Sequence, residues 1–115
     1  MPVESGNARV TGERNRGWFV GPYVGGPGAL AHQQGVEVKW GIHSPGERRD
    51  EWGVNATWSM SVLLRGQFTL IFPDSPDVTL AQEGDYAIWT PGTPHRWHAV
   101  EESVVLTVRW PSAAT

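Results

Sequence analysis

The stretch Gly84-Asp85-Tyr86-Ala87-Ile88-Trp89-Thr90-Pro91-Gly92-Thr93-Pro94-His95 decides the fold. Its first glycine permits a tight turn, and Tyr86 to Trp89 is a short β-rich run. Pro91-Gly92 bends the chain a second time, and His95 stands at the start of the next strand.

Outward from this segment, short β-rich runs alternate with turn residues in both directions. Downstream lie Arg96 to Val100, the break Glu101-Glu102 and Ser103 to Trp110. Upstream, Glu83-Gly84-Asp85 follows a strand over Val78 to Ala81, and Pro73-Asp74-Ser75-Pro76-Asp77 separates that strand from Phe68 to Phe72. Arg65-Gly66-Gln67 is a tight connection that predicts a β-hairpin between Phe68 to Phe72 and Thr57 to Leu64. Within Thr57 to Leu64, Trp58, Met60, Val62 and Leu64 share one face, and Ser59 and Ser61 the other. Val36, Val38, Trp40 and Ile42 alternate with Glu37, Lys39, Gly41 and His43, the period of a half-buried strand with Glu37, Lys39 and His43 on its solvent side. Residues 1–16 are polar and without apolar period, so they read as a flexible N-terminal arm before a domain spanning 17–112. No stretch of ten residues carries a helical period, while 14 glycines and 9 prolines punctuate the chain. The expected class is all-β, a sandwich or barrel.

The 115 residues suffice for one domain with a real core. There is no cysteine, so disulfides, thiolate catalysis and cysteine-held zinc are excluded. A net charge of -3 and scattered Lys and Arg argue against nucleic acid as a partner. No apolar run reaches membrane-spanning length and the start lacks a secretory core, so no membrane is expected and the compartment is read as cytoplasmic. Seven tryptophans need burial, an interface or a ligand.

Gly84 to His95 resembles the second motif of the cupin superfamily, G-x5-P-x-G-x2-H-x3-N, with Gly84, Gly92 and His95 in register. Thr90 stands at the motif's proline, Pro91 follows it, and Ala99 replaces the final Asn. The first motif, G-x5-H-x-H-x4-E-x6-G, is laid on Gly46 to Gly66 with both glycines present. Trp52 and Val54 stand at its histidines and Ser59 at its glutamate. The closing run Arg109 to Ser112 is similar to that of a group of short bacterial cupins. The resemblance implies a small single-domain cupin, a double-stranded β-helix or jelly-roll barrel, with most of the usual metal ligands absent. Cupins commonly dimerise, often by sheet extension, so a homodimer is expected.

The expected function is small-molecule binding, either as a binding module or as a metal-free enzyme of isomerase or epimerase type, with turnover left open. In the catalytic version His95 is the base, Arg49 or Arg109 holds an anionic group, and Trp97 and Trp52 are stacking walls. Ser59 and Ser61 leave polar room on the inner face. His43 is read as surface, with reach to the barrel mouth as a ligand contact. Arg48 near the same mouth pairs with an acid in the bland alternative. The competing expectation is a metal-dependent oxygenase or isomerase, a divalent metal being held by His95 with atypical partners such as His43 and Asp50 or Glu51. No regular metal ligand set is assigned. A third is an interaction role in which the tryptophans serve an interface.

Overall fold

The computed structural model describes residues 2–111, so Met1 and Ser112, at the two ends of the expected arm and domain, lie outside the described residues. Helix α1 spans Ala8–Glu13. Eight strands follow: β1 Trp18–Val20, β2 Glu37–His43, β3 Trp58–Arg65, β4 Phe68–Phe72, β5 Ser75–Leu80, β6 Tyr86–Trp89, β7 Arg96–Ala99 and β8 Ser103–Trp110. They form two antiparallel sheets, ordered β1-β2-β8-β3-β6 and β5-β4-β7. The core between them is Leu63, Phe68, Leu70, Leu80, Trp89 and Val105.

The predicted hairpin between β3 and β4 is not formed. The two strands lie in different sheets, and Gly66 is where the chain crosses from one to the other. Gly66 has φ +98°, and a Cβ there would sit 2.3 Å from the Glu102 carbonyl oxygen. The crossing therefore presses backbone against the β7–β8 turn. Ser103 holds that contact by accepting from the Gln67 amide and lying 3.1 Å from the Gln67 carbonyl, and both edges of β3 are already taken by β8 and β6. The hairpin that does form is β4–β5, closed at Pro73-Asp74 with Phe72 paired to Ser75.

The segment that sets β6 behaves as its residues require. Gly84 has φ +91°, and the Asp85 carboxylate accepts from the Ala81 and Gln82 amides at 3.0 Å each. Those two N–H groups hold the Asp85 carboxyl below its ordinary value. Gly92 has φ +80° and its amide donates to the Asn55 carbonyl at 2.8 Å, tying the second bend to the approach to β3.

Residues before Gly17, expected to lack regular structure, contain α1. Asn7 caps it by accepting from the Val10 amide at 3.1 Å. Gly12 is buried, with Gly17 so close that a Cβ would meet its carbonyl oxygen at 2.9 Å. The Glu4 carboxylate accepts from the Leu30 and Ala31 amides. A six-residue helix has no apolar period long enough to be seen in the sequence; tertiary contact forms it.

The faces of β2 are also opposite to those expected. Glu37 is fully buried and Lys39, Gly41 and His43 point inward, whereas Ile42 is half exposed. The apolar set lies on the outer face of the five-stranded sheet because the inner face borders a polar cavity.

Candidate functional site

Between the sheets lies a cavity of about 140 Å³. At roughly 30 Å³ per water it holds about five waters, or a small organic molecule. Strands β3 and β8 supply hydroxyls: Ser59 and Ser61 are buried, and Ser61 Oγ lies 2.9 Å from Thr107 Oγ1. Opposite them β4 and β7 supply the Phe68 and Trp97 rings, and β6, paired with β3 in the same sheet, supplies Trp89. Trp97 stacks on Phe68 with centroids 5.4 Å apart, and Trp89 packs against His95 at 5.0 Å. The Trp89 indole N–H has no hydrogen-bond partner among the described residues, so it remains a donor for a ligand.

His95 is placed by backbone pairing with Gly53 in both directions, at 2.8 and 2.9 Å. Its Nδ1 lies 3.0 Å from the Thr93 carbonyl oxygen. A carbonyl only accepts, so Nδ1 carries the proton and Nε2 keeps its lone pair. Burial lowers the His95 pKa, partly offset by the Thr93 bond, and the Arg49 and Arg109 charges lower it further. The neutral imidazole therefore prevails near neutral pH.

His43 faces the same cavity, contrary to the surface placement expected for it. It packs on Trp97 at 4.4 Å between ring centroids and on Phe68 at 5.0 Å. Its Nδ1 is 3.5 Å from a Glu47 carboxylate oxygen, an ion-pair separation longer than a good hydrogen bond. Burial still lowers its pKa, outweighing Glu47.

Three cations converge on the cavity: Lys39, Arg49 and Arg109. Arg109 is paired with the buried Glu37 at 2.5 Å and stacks on Trp18 at 4.3 Å. Arg49 lies over Gly53, where a Cβ would meet its Nη1 at 2.8 Å, so only glycine leaves the guanidinium its place. Neither Lys39 nor Arg49 has an ion pair among the described residues. Burial lowers the Lys39 pKa first, and the repulsion of Arg109 and Arg49 adds to it. Three cations against Glu37 leave a formal excess of two positive charges, inside a chain whose net charge is -3.

Of the residues singled out from sequence, His95, Ser59, Ser61, Trp97, Arg49, Arg109 and His43 all line this cavity. Trp52 does not. Its side chain is 43% exposed and stacked under the Arg96 guanidinium at 4.6 Å, so the proposed stacking wall is supplied by Trp89 instead. Arg48 is bound to Asp50 at 2.6 Å on the surface. Lys39, Glu37, Trp89 and Thr107 were not anticipated. The available signal was Gly41, a residue without a side chain amid β-branched and aromatic neighbours, which marks close approach on that face.

The donor set does not fit a divalent metal. Among the described residues no three His, Asp or Glu side chains come together, and Asp50 is committed to Arg48. The two cavity imidazoles share their space with three cations, which repel a metal ion, whereas such sites use about three neutral or anionic ligands.

The lowered histidine values set the sign of a pH effect. In the unfolded chain each histidine titrates near pH 6.5. Folding holds His43 and His95 neutral to lower pH, so the unfolded state takes up protons first as pH falls. Stability is expected to decline as pH drops below about 6.5 and to level off once the lowered folded values are passed. Urea midpoints between pH 5.5 and 7.5 check this, and His43→Phe should flatten the slope.

Solved structures place this architecture. A cupin superfamily protein from Desulfitobacterium hafniense superposes with TM-score 0.64 at 18% identity, over 73% of this chain and 74% of that one. An RmlC-like cupin family protein with a double-stranded β-helix fold, from Methanocaldococcus jannaschii, gives TM-score 0.63 at 13% identity over 71% and 75%. The DMSP lyase DddQ from Ruegeria pomeroyi gives 0.61 at 15% identity over 70% of this chain and 40% of that one. No protein-family model and no curated protein matches the sequence. The fold is therefore that of the double-stranded β-helix proteins. Within that class it is the cupin fold, as Gly84 to His95 implies.

Proposed function

We propose that the barrel binds a small organic anion, with Lys39 and Arg49 as its counter-charges and the Trp89 and Trp97 rings beside its apolar part. The observation that carries this is a pair of cations on the cavity wall, Lys39 half-buried and Arg49 exposed at the mouth, with no carboxylate at ion-pair distance among the described residues. Partial burial of the Lys39 ammonium beside Arg49 and Arg109 is costly, and a carboxylate or phosphate offsets that cost and the repulsion among the three. His95 adds proton chemistry. Its Nε2 lone pair can take a proton from the carbon next to the ligand's acid group. The C–H electron pair stays on the ligand as an enolate held by the cations, and the proton returns at another position or face. That is an isomerase- or epimerase-type exchange without a metal. Tryptophan fluorescence titrated with small carboxylates, inorganic phosphate and neutral metabolites tests the binding. Selection of anions supports it, and equal or exclusive response to neutral compounds sinks it.

A second copy of the chain is the proposed partner. On the outer face of the five-stranded sheet two registered rows, Val38-Val108-Met60-Ile88 and Trp40-Leu106-Val62-Tyr86, carry no charge. Tyr86 and Ile88 are 63% and 51% exposed. With the adjoining Trp58–Trp110 pair, about five residues at about 3.3 Å on up to four strands at about 4.8 Å give a face of roughly 19 by 17 Å. That is the scale of apolar patch that marks an interaction surface, and lacking charge it is complementary to itself. Light scattering should show a dimer at micromolar concentration and a monomer for Ile88→Lys. A monomeric parent protein contradicts this.

A further inference from the structure

We infer that the anion site is bipartite, so that its ligand carries two acidic groups held apart. The inference rests on the anion-binding function proposed above. Outside the cavity a second hollow of about 380 Å³ shares two walls with it, Trp18 and Arg109, and is otherwise lined by Arg14, Asn15, Arg16 and Tyr23. It contains three guanidinium groups and no carboxylate. Neither Arg14 nor Arg16 has an ion pair among the described residues.

The hollow is built by local backbone features. Arg16 is the only non-glycine among the described residues with positive φ, at 57°, and Gly17 follows at 96°. A left-handed residue other than glycine costs about 1–2 kcal/mol, so something must hold it. Here the Trp18 amide donates to the Asn15 carbonyl at 3.0 Å and the Gly17 amide to the Gly12 carbonyl at 2.7 Å. The turn swings Trp18 back over Lys39 and Arg109, at 5.7 and 4.3 Å from its ring centre, and leaves Arg14 and Arg16 beside it. Trp18 and Tyr23, with centroids 6.2 Å apart, form an aromatic wall. Arg109 is fixed at the junction by Glu37 and serves both hollows. One acid group in the cavity and a second at Arg14 and Arg16, joined by an apolar spacer along Trp18, would use all of these cations.

The test compares hexanoate with adipate, equal in chain length and differing in one terminal acid, by fluorescence titration of the full chain at low salt. Adipate should bind at least about fivefold tighter, beyond the statistical gain of equivalent ends. In a variant with Arg14→Ala and Arg16→Gly, the adipate advantage should fall to the statistical gain of about twofold. Glycine accepts the φ of Arg16, so the turn is kept. Equal affinities in the parent protein, or an adipate advantage beyond that gain that survives in the variant, would overturn the bipartite site while leaving anion binding intact. If neither acid binds, the anion site itself is overturned and the bipartite site with it.

Discussion

Gly66→Ala is expected to destabilise the protein by about 2–5 kcal/mol, among the largest single-residue effects on folding. Two costs add. The residue sits at φ +98°, where an L side chain pays about 1–2 kcal/mol. The new Cβ would also lie 2.3 Å from the Glu102 carbonyl oxygen and 2.7 Å from Ser103 Cα. Both are backbone atoms, so relief means shifting the β7–β8 turn, an overpacking cost of about 1–3 kcal/mol. Gly84→Ala and Gly92→Ala are the controls. They sit at φ +91° and +80° with nothing near the added methyl, so each should lose only the conformational share. Urea denaturation separates the cases. Equal losses at all three positions would mean that the sheet crossing is not the tight point described above.

The contrast among these glycines shows what the sequence could and could not reveal. Gly84, Asp85 and the Pro91-Gly92 pair carry local turn chemistry, so the bends around β6 were legible from residue types alone, whereas the inward aim of His95 came from the resemblance those residues carry. Gly66 carries the same local signal, and its turn was located correctly. The partner of the strand beyond it was not, because which sheet a strand joins is decided by contacts with Ser103 and Glu102, distant in sequence. The β2 faces fail for a different reason. Alternation separates two faces but does not say which is inside when the interior is a charged cavity and the exterior an apolar sheet face. That inversion hid Lys39 and Glu37 and made His43 look like a surface residue. Trp52 was misplaced because a position inherited from the resemblance fixes a place along the chain, not the direction of a side chain in a loop.

Arg49→Met is expected to weaken binding of a small carboxylate such as benzoate by about 10- to 100-fold. A charge-assisted hydrogen bond contributes about 1.5–3 kcal/mol, and about 1.4 kcal/mol is a factor of ten. Methionine keeps the apolar stem, so packing changes little. Because Arg49 has no ion pair among the described residues, its removal orphans no acid, and folding stability should hold or rise slightly. Gly53→Ala is a second route to the same loss. The added methyl would meet Arg49 Nη1 at 2.8 Å and Cζ at 3.1 Å, the far end of a flexible side chain, which swings aside without disturbing the fold. Loss of affinity in both variants with unchanged urea midpoints assigns the effect to the position of the guanidinium. Unchanged affinity in both would remove Arg49 from the site.

The most direct measurement is a crystal structure of the protein with benzoate. The carboxylate should lie within about 3 Å of the Lys39 ammonium and the Arg49 guanidinium, its ring between Trp89 and Trp97. A metal ion ligated by His95 in that space, or benzoate bound only on the outer surface, would contradict the assignment of the barrel interior as an anion site.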